Sequence, residues 1–330
     1  MRGSVLWITA DNSWNEAALA AAFGTAWLRE LGVPASVQPV RPGLGPAIAG
    51  PPGVSVAAPL LAERRRGFRR PKLVFPGPSD LGRVVVDQSV QDAFGFDVTW
   101  PAGAASALFL RTVPEPDFDY GVLSAYDAVW AANRPVWDAV RSSHAVPESR
   151  LWLVPPPHLG TARMNPRPGS GILVAAGVLD VVKGLDMVFN ALTVLRDRGQ
   201  IWQLLVLGDG PERGRWTVYA RALGLDVRFE PADWDWDSAI SGADIFIAPQ
   251  FRDGLGWDVA AAARVGTPVV MADLPTLRDP VRHAVDAVIL PETRAADLVE
   301  ALERLAGNRT ARQQPAPSDQ AVSVWREMLA

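Results

Sequence analysis

The 330-residue chain contains no cysteine. That excludes disulfides, thiolate metal sites and cysteine nucleophiles together. Histidine is nearly as scarce: His144, His158 and His283 are spread too widely for a histidine metal cluster to be expected. No stretch reaches the roughly 20 consecutive apolar residues of a membrane span. The opening MRGSVLWITA also lacks the long apolar run and small-residue cleavage site of a leader peptide. The expectation is a cytoplasmic protein, at most peripheral at a membrane. Lysine is the third scarcity. Of 32 lysines and arginines only Lys72 and Lys183 are lysine. Such a bias follows genomic GC content, yet it makes each surviving lysine worth locating. A net charge of −4 gives no general attraction to nucleic acid.

What is present is a folding composition, with 48% hydrophobic residues. The length fits two domains of about 150 residues each. SVLWITA (4–10) is a short β-branched, apolar run and predicts a buried strand. NEAALAAAFGTAWLRELG predicts a helix closed by Gly32, and ASVQPV a second strand, which makes a βαβ unit. KLVF, RVVVD and SRLWLV are further strand candidates, VLSAYDAVWAAN reads as a mixed element, and RPVWDAVRSS reads as a helix. Three prolines at 155–157 and the Pro/Gly/Asn segment 164–171 mark a linker. Beyond it the alternation restarts with GILVAAG, the helix KGLDMVFNALTVLRDRG, WQLLVLGDGP, a helix, VRFEP, a short helix, DIFIAPQ, an alanine-rich helix, PVVMAD, DAVIL and AADLVEALERLAGN. Regular β/α alternation predicts parallel, doubly wound sheets. The expected fold is α/β with two Rossmann-like domains facing a cleft. Residues 1–160 form the first domain and 161–320 the second, and the closing helix 321–330 is expected to cross back to the first.

In an open parallel sheet, ligands sit past the carboxyl ends of the strands. Three loops of the second domain occupy that edge: Gly177 to Gly184 with Lys183, Gly208-Asp209-Gly210-Pro211, and Asp253-Gly254-Leu255-Gly256. A glycine loop at a helix start offers free N–H groups and the positive end of the helix dipole to an anion. A lysine on the same edge adds a full charge. Together these suit a diphosphate without a metal ion, although glycine after a strand also serves simply to turn the chain.

The run from GVLDVVKGLDMVFNAL through LLVLGDGPERGRW and LGLDVRFEP to ADIFIAPQFRDGLGWDVAAAARVGTPVVMADLPTLRDPV resembles the family 4 glycosyltransferases. The resemblance covers about residues 171 to 305; before residue 150 it is at the level of fold. It implies the two-domain GT-B fold, an acceptor side in the N-terminal domain, and a nucleotide-diphosphate sugar as donor in the C-terminal domain. It also implies transfer with retention, no metal, and no cofactor beyond the donor substrate. Lys183 and the N–H groups of Gly254, Leu255 and Gly256 would receive charge from the diphosphate. Asp253 would contact the sugar hydroxyls, or else cap the following helix. Gly208 and Asp209 belong to the second loop, and the backbone at Pro231 and Ala232 would lie beside the base.

Several positions depart from the family pattern. Asp253 replaces a glutamate, and Leu255 an aromatic residue. Ala261 stands where a second glutamate would hold the ribose, and Val178 where an arginine would assist Lys183. Asp258 or Arg252 is the expected substitute for the lost polar contacts. The family's histidine near the acceptor has no counterpart before His144, and Asp11-Asn12-Ser13-Trp14 stands where a Gly-Gly pair is usual. Two functional readings follow: a divergent transferase, or a GT-B protein acting as a binding or regulatory subunit. Epimerisation or other nucleotide-sugar chemistry is a third, smaller alternative.

Two more stretches have double readings. ERRRGFRRPK (63–72) gathers six cations, either to meet an anionic acceptor, lipid headgroup or nucleic acid, or as a solvated loop. ADWDWDSA (232–239) offers Trp234 and Trp236 for stacking, or simply an acidic first turn of a helix. The sequence does not identify the acceptor or the oligomeric state.

Overall fold

The computed structural model describes residues 3–11, 15–43, 47, 54–60, 73–74, 80–94, 98–99, 103–154, 169–230, 236–252, 254–281, 287–307 and 319–329. The chain divides into two compact units, Met1–Pro157 with Ser318–Ala330, and His158–Pro317.

The first unit contains β1 (Ser4–Asp11), α1 (Glu16–Glu30), β2 (Ala35–Arg41), β3 (Leu73–Val74), β4 (Leu81–Asp87), α2 (Gln88–Phe94), β5 (Val98–Thr99), β6 (Ala105–Leu110), β7 (Ala128–Ala131), α3 (Arg134–Ser143) and β8 (Leu151–Leu153). Six of these strands form one parallel sheet in the order β2-β1-β4-β6-β7-β8. The KLVF segment forms β3, which stands outside that sheet and, among the described residues, pairs with β5.

Local chemistry fixes the helix ends. Asn15 caps α1 by accepting from the Ala18 N–H at 2.9 Å, and Gly32 takes φ 80° just past its end. His144 is not inside α3 but follows it in the left-handed region, at φ 54°. The sheet interior is aromatic. Trp7 meets Phe109 edge-on at 5.2 Å and Trp130 at 6.2 Å. Each such pair adds about 0.5–1.5 kcal/mol beyond area burial. Gly24 of α1 is obligatory here, because a Cβ at that position would strike the Trp7 ring.

The second unit contains β9 (Ile172–Ala176), α4 (Leu185–Asp197), β10 (Gln203–Leu207), α5 (Arg213–Ala222), β11 (Val227–Glu230), α6 (Trp236–Gly242), β12 (Ile245–Ala248), α7 (Trp257–Arg264), β13 (Val269–Ala272), α8 (Pro275–Val281), β14 (Ala287–Leu290) and α9 (Ala295–Gly307). Its parallel sheet runs β11-β10-β9-β12-β13-β14. The central strands are buried on both faces, as their uninterrupted apolar runs require. Phe189 of α4 and Trp216 of α5 meet edge-on at 6.0 Å over this sheet.

The closing helix, α10 (Asp319–Leu329), belongs to the first unit. Its Trp325 is fully buried and packs edge-on against Trp130 at 5.9 Å. Most of the proline-rich linker, the whole 63–72 cationic run and residues 231–235 of the acidic stretch before α6 lie outside the described residues.

Candidate active site

The strand order of the second unit reverses between β9 and β12. At such a switch point the loops leaving adjacent strands depart to opposite faces and leave a crevice at the carboxyl edge. The loop after β9 carries Lys183, and the loop after β12 leads into α7. These two loops pack on each other. The Phe251 N–H donates to the Val182 carbonyl at 3.3 Å, and a Cβ on Gly184 would run into the Pro249 carbonyl. Gly184, at φ 73°, therefore answers a steric demand as well as a conformational one.

Lys183 ends a single 3-10 turn, Val181–Lys183, whose N-cap Asp180 accepts from the Val182 N–H at 3.0 Å. Burial pushes the Asp180 carboxyl above its ordinary value, and its hydrogen bonds and Lys183 oppose that shift. The Lys183 ammonium turns inward. It donates to the Ala176 carbonyl at the end of β9 and pairs with the Asp258 carboxylate at 3.4 Å. Both side chains are largely buried, at 6% and 12% exposure. Gly177, at φ 118°, leaves room for this pair; a Cβ there would stand 3.2 Å from Nζ.

Asp258, or Arg252, was expected to take over some of the lost polar contacts. The structure directs one Asp258 oxygen to Lys183, while the other accepts from the Val259 N–H at 2.9 Å. Ala261, one turn further along α7, is buried at 6% exposure. An alanine methyl accepts no hydrogen bond, so the ribose contact of the family has no counterpart at that position.

The remaining predicted residues separate into two groups. Gly208 takes φ 138° directly against the Gly177 carbonyl, so the first two loops are in backbone contact. Asp209 is engaged within its own loop, by the Gly210 N–H at 2.8 Å and Arg213 at 2.9 Å. Arg213 also donates to the Phe229 carbonyl, clipping α5 to β11. Gly256 is the left-handed N-cap of α7, and Leu255 is buried. The Gly254 N–H donates to the Thr276 hydroxyl at 3.4 Å, so that donor is already used. Asp253, Pro231 and Ala232 lie outside the described residues. Beside Phe251 a cavity of about 390 Å³ opens past the ends of β13 and β14, lined by Asp273, Leu274, Pro291 and Arg294 among others.

Sequence reasoning missed a second buried charge group, in the first unit. Asp87 ends β4 and is fully buried; Arg111, just past β6, approaches both its oxygens at 3.1 and 3.2 Å. Glu16, in the first turn of α1, stands 4.0 Å from the same guanidinium. Burial alone would lower the Arg111 pKa, but Asp87, Glu16 and Asp92 outweigh it and hold it above the ordinary guanidinium value. Gln88 accepts from the backbone N–H groups of Arg111 and Thr112, and Asn133 donates to the Arg111 carbonyl. The available signal was two apolar strands each ending in a charge, VVVD and LFLR.

Among the described residues, no group of three or more histidines, aspartates or glutamates could hold a metal ion. No described helix is long and apolar enough to cross a membrane.

Residues 170–308 match the family model described as glycosyl transferases group 1. A 2-deoxystreptamine glucosyltransferase of Streptomyces kanamyceticus is 26% identical over 170 residues, covering 50% of this chain and 42% of the relative. A phosphatidyl-myo-inositol mannosyltransferase of Mycobacterium leprae is 29% identical over 153 residues, covering 45% and 40%. The matched part thus spans less than half of these relatives' length. Among solved structures, Anabaena HepE in complex with UDP and glucose aligns with a TM-score of 0.64 at 12% identity, covering 99% of this chain and 98% of that one. A glycosyltransferase from Rickettsia africae aligns at 0.65 and 10% identity, covering 100% and 97%. At such identities the likeness is one of fold, and that fold is GT-B.

Proposed function

We propose that this chain, a divergent relative of the family 4 glycosyltransferases on the GT-B fold, transfers a sugar from a nucleotide-diphosphate donor to an acceptor. The transfer proceeds with retention and without a metal ion. One observation carries this reading: a buried lysine is delivered to the switch point of the second unit's sheet, within the segment that matches the group 1 model. Transfer breaks the bond between the anomeric carbon and the diphosphate oxygen, and negative charge develops on the leaving group. A fixed cation and the N-terminal end of α7, with the N–H groups of Leu255 and Gly256, are suited to receive that charge. Asp253 is assigned to the sugar hydroxyls, and the backbone at Pro231 and Ala232 to the base. The first unit is assigned to the acceptor, with Arg111 and Asp87 at its strand edge.

A second reading is a GT-B protein that binds without catalysis. It is favoured by the alanine at 261, the valine at 178 and the internal neutralisation of Lys183 by Asp258. The two readings separate in a thermal-shift series with UDP, GDP, ADP and TDP and their hexose forms. A ligand present at 100 times its Kd stabilises the native state by about 2.7 kcal/mol. The expected outcome is a rise in melting temperature with at least one nucleotide-sugar, slow hydrolysis of that donor, and loss of both in Lys183→Ala. A shift with no hydrolysis or transfer favours the binding protein. No shift with any nucleotide refutes the donor assignment.

A further inference from the structure

We infer that the cavity beside Phe251 is a saccharide subsite that holds a neutral sugar ring of the acceptor. The inference rests on the donor reading above and names an acceptor class for it, a glycoside. The cavity has a volume of about 390 Å³ and is lined by residues of the second unit alone. That volume falls in the range of small-molecule sites.

Its lining divides by chemistry. Leu274, Leu290 and Pro291 make it apolar on one side. The Phe251 side chain is also part of the lining and the residue is 49% exposed, although its backbone is tied to the Val182 carbonyl. A single exposed apolar residue is ordinary on a protein surface. One that walls a cavity from an anchored backbone offers a fixed aromatic surface, on which the apolar C–H face of a pyranose can pack. The rest of the lining is polar. Asp273 accepts from Arg278 through both its oxygens, at 2.9 and 3.0 Å. Arg294 donates to both oxygens of Asp297, at 2.9 and 3.2 Å, and stands 3.2 Å from Glu292. These contacts orient each planar group and leave it spare lone pairs or N–H groups. The Thr293 hydroxyl adds a group that both donates and accepts.

Charge narrows the ligand class. Both guanidinium groups are already engaged by carboxylates, so an anionic ligand meets no free cation. Each of the three carboxylates likewise has its arginine, so an ammonium group meets no unpaired carboxylate. A ring of hydroxyls carries no charge and donates and accepts at once, which matches the capacity that remains.

Position assigns the ring to the acceptor. Along the sheet edge the strands run β11-β10-β9-β12-β13-β14. In the donor reading the base lies past β11, the diphosphate at the loop after β9 and the start of α7, and the transferred sugar at the loop after β12. The cavity lies past β13 and β14, on the side away from the base. Neighbouring strands are about 4.8 Å apart, so it is roughly 5–10 Å beyond the β12 loop. The next place along that edge after the transferred sugar is the place of the group that receives it.

The test is saturation-transfer NMR on the full chain with the methyl α-glycosides of glucose, mannose and galactose. Each probe is measured alone and with the nucleotide-sugar that gives the largest thermal shift. At least one glycoside should bind the wild type, and its signal should persist when the nucleotide-sugar is saturating. Phe251→Ala should weaken that binding about three- to tenfold, and Phe251→Trp, which keeps an aromatic surface, should retain it. Thr293→Val, on the exposed rim, should weaken it about threefold and supplies the comparison should the alanine variant fail to fold. No transfer to any glycoside, or transfer that neither Phe251→Ala nor Thr293→Val reduces, overturns the subsite; a thermal shift with nucleotides then leaves the donor reading standing. Tighter binding of glucosamine or glucuronate than of the neutral glycosides overturns the ligand class. Displacement of the glycoside by the nucleotide-sugar would mean that the cavity holds the donor's own sugar, and overturns the acceptor assignment. Absence of nucleotide binding in every protein refutes the donor reading and the acceptor role with it.

Discussion

Removing one partner of the Lys183–Asp258 pair gives the sharpest test of how the second unit is built. At 3.4 Å and an effective dielectric of about 20, two unit charges attract by roughly 5 kcal/mol. Desolvating both groups consumes most of that, so the intact pair contributes little net stability. Breaking it is a different matter. Lys183→Met keeps the methylene stem and leaves a carboxylate at 12% exposure facing an apolar group, with the Ala176 carbonyl losing its donor. The expected cost is about 3–5 kcal/mol. Asp258→Asn should cost less, because the amide oxygen still faces the ammonium. The double variant should be destabilised by less than the sum of the two, with a coupling of about 2–3 kcal/mol. Urea denaturation of the four proteins, followed by far-UV circular dichroism and compared at common slopes, reads these values. A coupling below about 0.5 kcal/mol, or a Lys183→Met cost under about 1 kcal/mol, would show that the two groups are solvated and would refute the buried-pair argument.

Two further outcomes follow from the first unit. Trp325→Ala should destabilise it by about 3–5 kcal/mol, since the indole is fully buried against Trp130; an unchanged urea midpoint would mean that α10 is dispensable to this core. Burial pushes the Tyr126 phenol well above its ordinary value of 10.0. A raised pKa means that the folded state holds the proton longer than the unfolded chain does, so this contribution to stability is intact below about pH 10 and is lost progressively above it. Phenolate absorbance in the folded protein should then show Tyr126 silent through the ordinary range, identified by comparison with Tyr126→Phe. Its titration there without unfolding would contradict its burial.

Much of the fold was legible because it depends on period and punctuation. The apolar runs at 4–10 and 245–248, and the glycines at 32 and 199, mark elements through chemistry that neighbouring residues share. Lys183 was legible for a different reason: it is one of two lysines and follows a strand by a short glycine-bounded loop. The partner of Lys183 was not. Asp258 lies 75 residues away, and nothing local distinguishes a helix-start aspartate facing solvent from one facing a buried ammonium. Asp209 shows another limit: its strand-edge position suggested a ligand contact, yet its partners are local, the Gly210 N–H and Arg213 four residues on.

By itself the sequence determined the alternation of strands and helices, the restart after the linker, and the loops that follow β9, β10 and β12. Each is written in contiguous residues, where hydrophobic period and backbone freedom act over a few positions. The strand order was decided only in three dimensions, because many orders satisfy the same alternation. Placing β12 beside β9 brings Lys183 against Asp258, and the order β1-β4-β6 likewise brings Arg111 to Asp87. Those pairings set the charge at each sheet edge, and charge across long sequence separation is fixed by topology and burial.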